Sequence, residues 1–114
     1  MVGHVSDVAG QSLSGQDIEK VVKRLLVGTD DGWQGWALRL FELEAGGHTP
    51  RHDHPWLHIN YITEGCGTLH LDGVDHEVDE GSFAYVPSGA THQFRNTGAD
   101  TFAFICIVPE EGEG

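Results

Sequence analysis

The sequence predicts one small all-β domain, a sandwich or a barrel, and three observations lead to this prediction. A chain of 114 residues has room for one hydrophobic core and not for two. From Trp33 onward, short apolar, aromatic or β-branched runs alternate with Gly, Pro and Asp, at the spacing of an all-β fold. Asp72-Gly73 lies between two alternating runs, which is the strongest local signal for a two-residue hairpin.

Each strand is predicted from a run of β-forming residues bounded by turn residues. Gly46-Gly47 and Pro87-Ser88-Gly89 mark two further turns. The predicted strands cover residues 35–43, 57–63, 67–71, 74–78, 82–86, 92–96 and 101–108.

The segment that precedes these strands has two interpretations. Its apolar residues between Ile18 and Leu26 fall on one helical face, and Ser14 could cap that helix, so periodicity alone favours a helix. The β-branched run that ends at Gly28 also suits a strand. Around this segment we expect a lead-in over residues 1–15, one domain over residues 16–110 and an acidic tail over residues 111–114.

The charge and the cysteines exclude several classes of protein. Eighteen acidic against six basic residues give a net charge of −12, which has the wrong sign for a nucleic-acid partner and disfavours an anionic membrane. Because no apolar stretch approaches the roughly 20 residues of a membrane helix and no export signal opens the chain, we expect a cytoplasmic protein. Cys66 and Cys106 form no metal-binding pair motif, so we expect free thiols.

Four of the eight histidines form the candidate site. His52, His54 and His58 share a parity, so a strand would place them on one face, although Pro55 interrupts the ladder between them. His92 begins a later strand and can reach the same interior. Neutral imidazole is a common transition-metal ligand, and four buried histidines without a metal would be costly to satisfy. The others are expected to be surface or hydrogen-bonded residues: His4, His48, His70 and His76.

These histidines belong to two clusters that resemble a known pair of motifs. The chain resembles the cupin superfamily over residues 46–96, and this resemblance implies a double-stranded β-helix with jelly-roll strands. It also implies that residues 20–27 form a strand that joins the partner's sheet in a homodimer. The first cluster is Gly46, His52, His54, His58 and Gly65; the second is Gly81, Pro87, Gly89, His92 and Asn96.

One departure from the family pattern concerns the metal. Most metal-binding cupins have Glu where this chain has His58, and replacing it makes all four ligands neutral, so that a bound metal would be a stronger Lewis acid. The histidine run resembles the small cupins in which four histidines hold manganese. The expected cofactor is therefore a divalent transition metal, Mn or Fe by resemblance, with Zn, Ni or Cu also compatible.

The leading hypothesis is a small-molecule oxidoreductase of dioxygenase type, because four histidines on an octahedral ion would leave two adjacent positions for substrate and for oxygen or peroxide. Two alternatives stay open: a non-catalytic module that binds a small ligand, and a non-redox isomerase or lyase, which would need an acid or base beside the metal. The aromatic residues could instead only fill the core, and Arg39 could form a surface or dimer-interface ion pair. The candidate pocket residues are Arg39, Trp56, Phe94, Phe104 and Cys106.

Overall fold

A computed structural model describes residues 1–113 and confirms the all-β prediction. Its strands are mostly short, and the longest, β3, has 13 residues. Two single 3-10 turns cover Val5–Asp7 and Thr29–Asp31. The strands are β1 Gln11–Gly15, β2 Ile18–Val27, β3 Trp36–His48, β4 His58–Glu64, β5 Cys66–Leu71, β6 Val74–Asp79, β7 Phe83–Val86, β8 His92–Arg95 and β9 Phe102–Pro109, followed by one helical turn, α1, over Glu110–Glu113.

The strands pair antiparallel and close into a jelly-roll barrel. One layer has the order β1-β2-β3-β9-β4-β7, and the other has the order β6-β5-β8. The far end of β3 joins the two layers, because His48 pairs with Arg95 of β8. This long, bent strand is why the sheet curls around one interior, as the double-stranded β-helix prediction requires.

The apolar core fills one end of this interior. Phe94, Phe102 and Phe104 come from both layers and are almost fully buried, with Phe94 and Phe104 stacked at 4.0 Å between ring centroids. Each buried aromatic side chain contributes about 1.5–3 kcal/mol to stability. The core therefore fixes the inward faces of β8 and β9, which also border the candidate site.

Two turns show why glycine is needed where the sequence has it. Asp72 and Gly73 both have positive φ angles, 46° and 85°, which is the hairpin turn predicted between β5 and β6. Gly65 has a φ of 74°, and a Cβ at this position would collide with the carbonyl of Thr101. The turn between β4 and β5 therefore excludes larger residues.

The ambiguous segment is a strand, as the resemblance implied, and the helix favoured by periodicity was wrong. β2 pairs with β3 on one side and with β1 on the other. The predicted lead-in over residues 1–15 needs correction, because residues 11–15 form β1. Both edges of β2 are occupied within the chain, which leaves β1 with the free edge at this side of the sheet. The homodimer stays a prediction.

The predicted acidic tail has regular structure in its described part. Residues 111–113 of the predicted tail 111–114 continue α1, which packs beside β9 and β3, while residue 114 lies outside the described residues. Both cysteines are free, with Cys66 exposed and Cys106 buried. Within residues 1–113, no helix is long and apolar enough to cross a membrane.

Candidate metal centre

Four histidine side chains converge at one end of the barrel interior, as the sequence predicts. His52 and His54 lie in the segment between β3 and β4, whereas His58 and His92 are the first residues of β4 and β8. An isolated antiparallel bridge joins the backbones of His52 and His92, with N–O distances of 3.2 and 2.9 Å. The bridge brings the loop histidines against the strand that carries His92.

The imidazole rings of His52, His54 and His92 lie close enough to share one ion, and the ring of His58 adjoins them. Ring centroids are 4.7 Å apart for His58 and His92, 4.8 Å for His54 and His92, and 4.9 Å for His52 and His92. One ligating atom from each of His52, His54 and His92 lies within 4.8 Å of the others. His58 joins this group through its Nε2, which is 3.1 Å from Nε2 of His92.

In three of the four rings, hydrogen bonds to Nδ1 fix which nitrogen faces the centre. Nδ1 of His54 lies 3.0 Å from the carbonyl of Trp56, and Nδ1 of His92 lies 2.9 Å from the carbonyl of Ala90. Because a carbonyl only accepts, both Nδ1 atoms carry the proton. The proton positions are thus assigned from the hydrogen-bond partners.

The same assignment holds for His58. Its Nδ1 lies 2.6 Å from Oδ1 of Asn60, and the Asn60 amide is oriented by its Nδ2, which donates to the Ile105 carbonyl at 3.3 Å. The Nδ1 of His58 therefore donates as well, and its Nε2 presents a lone pair. Metal-ligating histidines characteristically donate their second ring N–H to such an acceptor.

The centre fits a metal ion because protonation at Nδ1 leaves the Nε2 atoms unprotonated, each with a free lone pair. The Nε2 atoms of His58 and His92 present two lone pairs to each other at 3.1 Å. Burial lowers the pKa of His58 to about 3, with His92 adding to the effect, so a proton between the two rings is disfavoured at neutral pH. One ion bound by both nitrogens would take up both lone pairs. A divalent cation therefore relieves the contact.

Desolvation also favours the neutral form of two neighbouring rings, which is the form that binds a metal, although His52 is exposed. It lowers the pKa of His92 and of His52, and in both cases a second histidine of the cluster adds to the effect. The strand-parity argument placed the four histidines together, as the structure does, but it gave an incomplete reason for this. Residues 49–57 lie outside the regular strands, and the bridge to His92, not alternation, positions His52.

All five predicted pocket residues line one cavity of about 360 Å³ beside the histidines. Phe94 and Phe104 serve both the core and the cavity wall, and Trp56 stacks on His54 with ring centroids 4.7 Å apart. Cys106 is buried, and burial raises the pKa of its thiol. Arg39 lies in the cavity with its side chain 12% exposed, so the surface position considered for it is wrong.

Four of the cavity-lining residues that the sequence did not indicate bear on the chemistry of the site or on its aromatic wall. Asn60 could have been suspected from its position two residues after His58, on the same face of the strand. Phe41 stacks on Phe104 at 5.4 Å. Lys23 and Glu113 meet across 90 residues of sequence, with Nζ 3.2 Å from both carboxylate oxygens, and no local pattern indicates this pairing.

The other four histidines lie outside the cluster, as expected. Nδ1 of His4 contacts Ser6, Nδ1 of His70 lies 2.8 Å from Asp75, and His76 is exposed on β6. His48 lies at the end of β3 beside Thr49. These residues supply matched controls for the cluster.

The fold and the site together define a small jelly-roll barrel with a histidine cluster in its cavity. The chain belongs to the cupin domain family, because the model of that family, described as Cupin_2: Cupin domain, matches residues 39–108. The match includes every histidine of the cluster.

The comparison with solved structures gives the same fold over nearly the whole chain. The polyketide cyclase RemF from Streptomyces resistomycificus is 30% identical, with a TM-score of 0.89 over 96% of this chain and 79% of that one. A predicted oxalate decarboxylase from Thermotoga maritima is 23% identical, with a TM-score of 0.88 over 96% of this chain and 98% of that one, which supports the fold alone. Protein SchB from Streptomyces halstedii is 29% identical over 81% of this chain. The matched region covers 64% of the length of SchB.

Proposed function

We propose that this cupin is a metal-dependent enzyme that closes a ring in a small polyketide-type substrate. The observation that carries the proposal is the set of Nε2 atoms turned toward one centre at the end of an aromatic-lined cavity. The 30% identity to a polyketide cyclase over almost the whole chain supports the reaction class. The proposed ligands are His52, His54, His58 and His92.

A bound divalent metal would supply a Lewis acid that polarises a carbonyl group of the substrate. The ligands are neutral histidines, so they cancel none of the ion's charge. Mn or Fe is the proposed metal, and Zn, Ni or Cu fits the same donors. Asn60 and the carbonyls of Trp56 and Ala90 hold three of the rings in the orientation that binding requires.

The cavity walls would fold and shield the substrate. Trp56, Phe41, Phe94 and Phe104 offer flat apolar surfaces against which an extended carbon chain can be held in a bent conformation. Such walls also exclude water, which strengthens every polar interaction at the metal. A volume of about 360 Å³ suits a small organic molecule.

A dioxygenase, as expected from the sequence, is the second candidate, and one observation favours it. Among the described residues that line the cavity, Glu113 is the one carboxylate, and it is ion-paired. Ring closure needs proton transfer, whereas oxidative cleavage makes a smaller demand on acids and bases in the pocket. The two reactions differ in what they consume and in the composition of their products.

Metal content and product mass test the proposal together. Protein expressed with Mn, Fe or Zn supplementation would be analysed for metal, then incubated with a linear poly-β-ketone made in situ by a minimal polyketide synthase. We expect one metal ion per chain and products that are isomers of the substrate or lighter by water, without oxygen uptake. Products heavier by two oxygen atoms, with matching oxygen uptake, would support the dioxygenase instead.

Two histidine variants, one inside the cluster and one outside it, test whether metal content and activity depend on the cluster. His58→Ala should lose metal and activity, and His76→Ala should keep both, because His76 is exposed and outside the cluster. Metal binding without any turnover would support the non-catalytic binding module. Absence of metal from the parent after supplementation would reject the centre.

A further inference from the structure

We infer that Lys23 and Arg39 form a subsite that binds an oxyanion of the substrate, and that the Glu113 carboxylate occupies this subsite until the substrate displaces it. The inference rests on the proposed function, because it assumes that the cavity takes a small molecule beside the histidines. It adds a substrate class: molecules that carry a carboxylate or enolate oxygen. Carboxylates and enolates share a planar group with a negatively charged oxygen.

The first observation is where the positive charge lies. The chain has six basic residues against eighteen acidic ones, yet two of the six, Lys23 and Arg39, line this cavity. They come from the adjacent strands β2 and β3, where Lys23 pairs with Phe41 and Arg39 pairs with Cys106 of β9. Both side chains are largely buried, at 15% and 12% exposure. Burying two like charges together is costly unless an anion joins them.

The second observation is that the chain supplies one anion for these two cations. Nζ of Lys23 lies 3.2 Å from each carboxylate oxygen of Glu113. Nε of Arg39 is 3.8 Å from the nearer oxygen, which is an ion pair but too long for a hydrogen bond. Glu113 therefore binds Lys23 closely and Arg39 only loosely.

The third observation is that the Arg39 guanidinium is poorly satisfied. Its Nε is buried without a hydrogen-bond partner. Its Nη1 lies 3.4 Å from the Gly112 carbonyl, and its Nη2 donates at 3.0 Å to Sγ of Cys106, a weak acceptor. A guanidinium is built to hold a planar oxyanion through two parallel hydrogen bonds, and nothing here supplies them. An incoming carboxylate would satisfy donors that Glu113 leaves unmet.

Glu113 also lies in a short helix, α1, that can unfold locally. α1 is a single turn of four residues, and an isolated turn has little helical stability of its own. Replacing Glu113 by a substrate oxyanion keeps the charge balance of the cavity. A neutral ligand would have to leave Glu113 in place and would gain nothing from Lys23 or Arg39.

Calorimetric titration with benzoate and its neutral counterpart benzamide tests the subsite in chelator-treated protein, where no metal competes for the carboxylate. We expect the parent to prefer benzoate, and Glu113→Gln to bind benzoate about tenfold more tightly, because the competing carboxylate is gone. Arg39→Gln and Lys23→Gln should each weaken benzoate binding about tenfold. Benzamide binding should stay the same throughout.

The control is Glu111→Gln, which changes an exposed carboxylate in the same helical turn and should leave both affinities unchanged. Thermal unfolding identifies any variant that fails to fold, and Lys23→Gln then carries the test in place of Arg39→Gln. Equal binding of benzoate and benzamide, or no gain in Glu113→Gln, would overturn the inference. Because the assay needs neither metal nor turnover, loss of the proposed ring-closing function would leave this result standing.

Discussion

Asn60 should control metal affinity without touching the metal. The residue is 1% exposed, and its Oδ1 accepts the Nδ1 proton of His58 at 2.6 Å. Asn60→Ala removes this acceptor, so the buried N–H of His58 loses its partner at a cost of about 1–3 kcal/mol. The ring is then free to change tautomer or rotate, and metal affinity should fall by about 10–100-fold.

Competition against a chromophoric chelator measures this loss with Zn or Mn in the parent and the variant. Asn60→Asp keeps an oxygen acceptor for His58 and should retain most of the affinity. Asn96→Ala is the matched control, because Asn96 is also buried and donates to the carbonyls of Leu43 and Asp100, away from the cluster. It should lower the unfolding temperature and leave metal affinity unchanged.

The reasoning would be refuted if folded Asn60→Ala bound metal as tightly as the parent. It would also be refuted if Asn96→Ala lost as much affinity as Asn60→Ala, because the effect would then reflect general destabilisation. Circular dichroism on both variants establishes that the compared proteins are folded.

Three further predictions concern stability and assembly. Metal-free protein should lose stability as the pH falls from 6.5 toward 3, and His58 should account for about 1.4 kcal/mol per pH unit. Burial lowers the pKa of His58 in the folded protein to about 3, so in this range only the unfolded chain takes up the proton. In urea unfolding, the free energy of unfolding should depend less steeply on pH in His58→Asn than in the parent, and an equal dependence would contradict this. Gly65→Ala should cost at least about 1–2 kcal/mol, since a positive φ and the Thr101 carbonyl exclude a Cβ, while Gly3→Ala, which meets nothing, should cost little in the same denaturant titration. The homodimer expected from the resemblance should sediment at twice the mass of one chain, and a single-chain mass at micromolar concentration would reject it.

The sequence predicts most clearly what local chemistry determines. Asp72-Gly73 forms the expected hairpin because both residues tolerate positive φ angles, which is a property of the two residues themselves. The strands from β4 to β9 follow from runs bounded by such turns, whereas the turn predicted at Gly46-Gly47 was wrong, because β3 continues through both glycines to His48. β2 was ambiguous because its apolar spacing suits a helix, and its pairing with β3 decides the outcome.

In the candidate site, too, the sequence predicts the features that depend on local motifs and not those that depend on long-range contacts. The histidines were found because their motif spacing lies within short stretches of sequence, although the bridge between His52 and His92 was not foreseen. Lys23 and Glu113 could not be paired, because α1 returns to the cavity only through the tertiary fold. A contact between residues that are far apart in the sequence leaves no periodic pattern in the sequence from which it could be predicted.

The central claim is that one metal ion lies among four histidines. The most direct test is a crystal structure of Zn- or Mn-loaded protein with diffraction recorded on both sides of the metal absorption edge. We predict one anomalous peak within bonding distance of His52, His54, His58 and His92, with His58 and His92 bound through Nε2. No peak in the cavity, or a peak bound by other residues, would contradict the account.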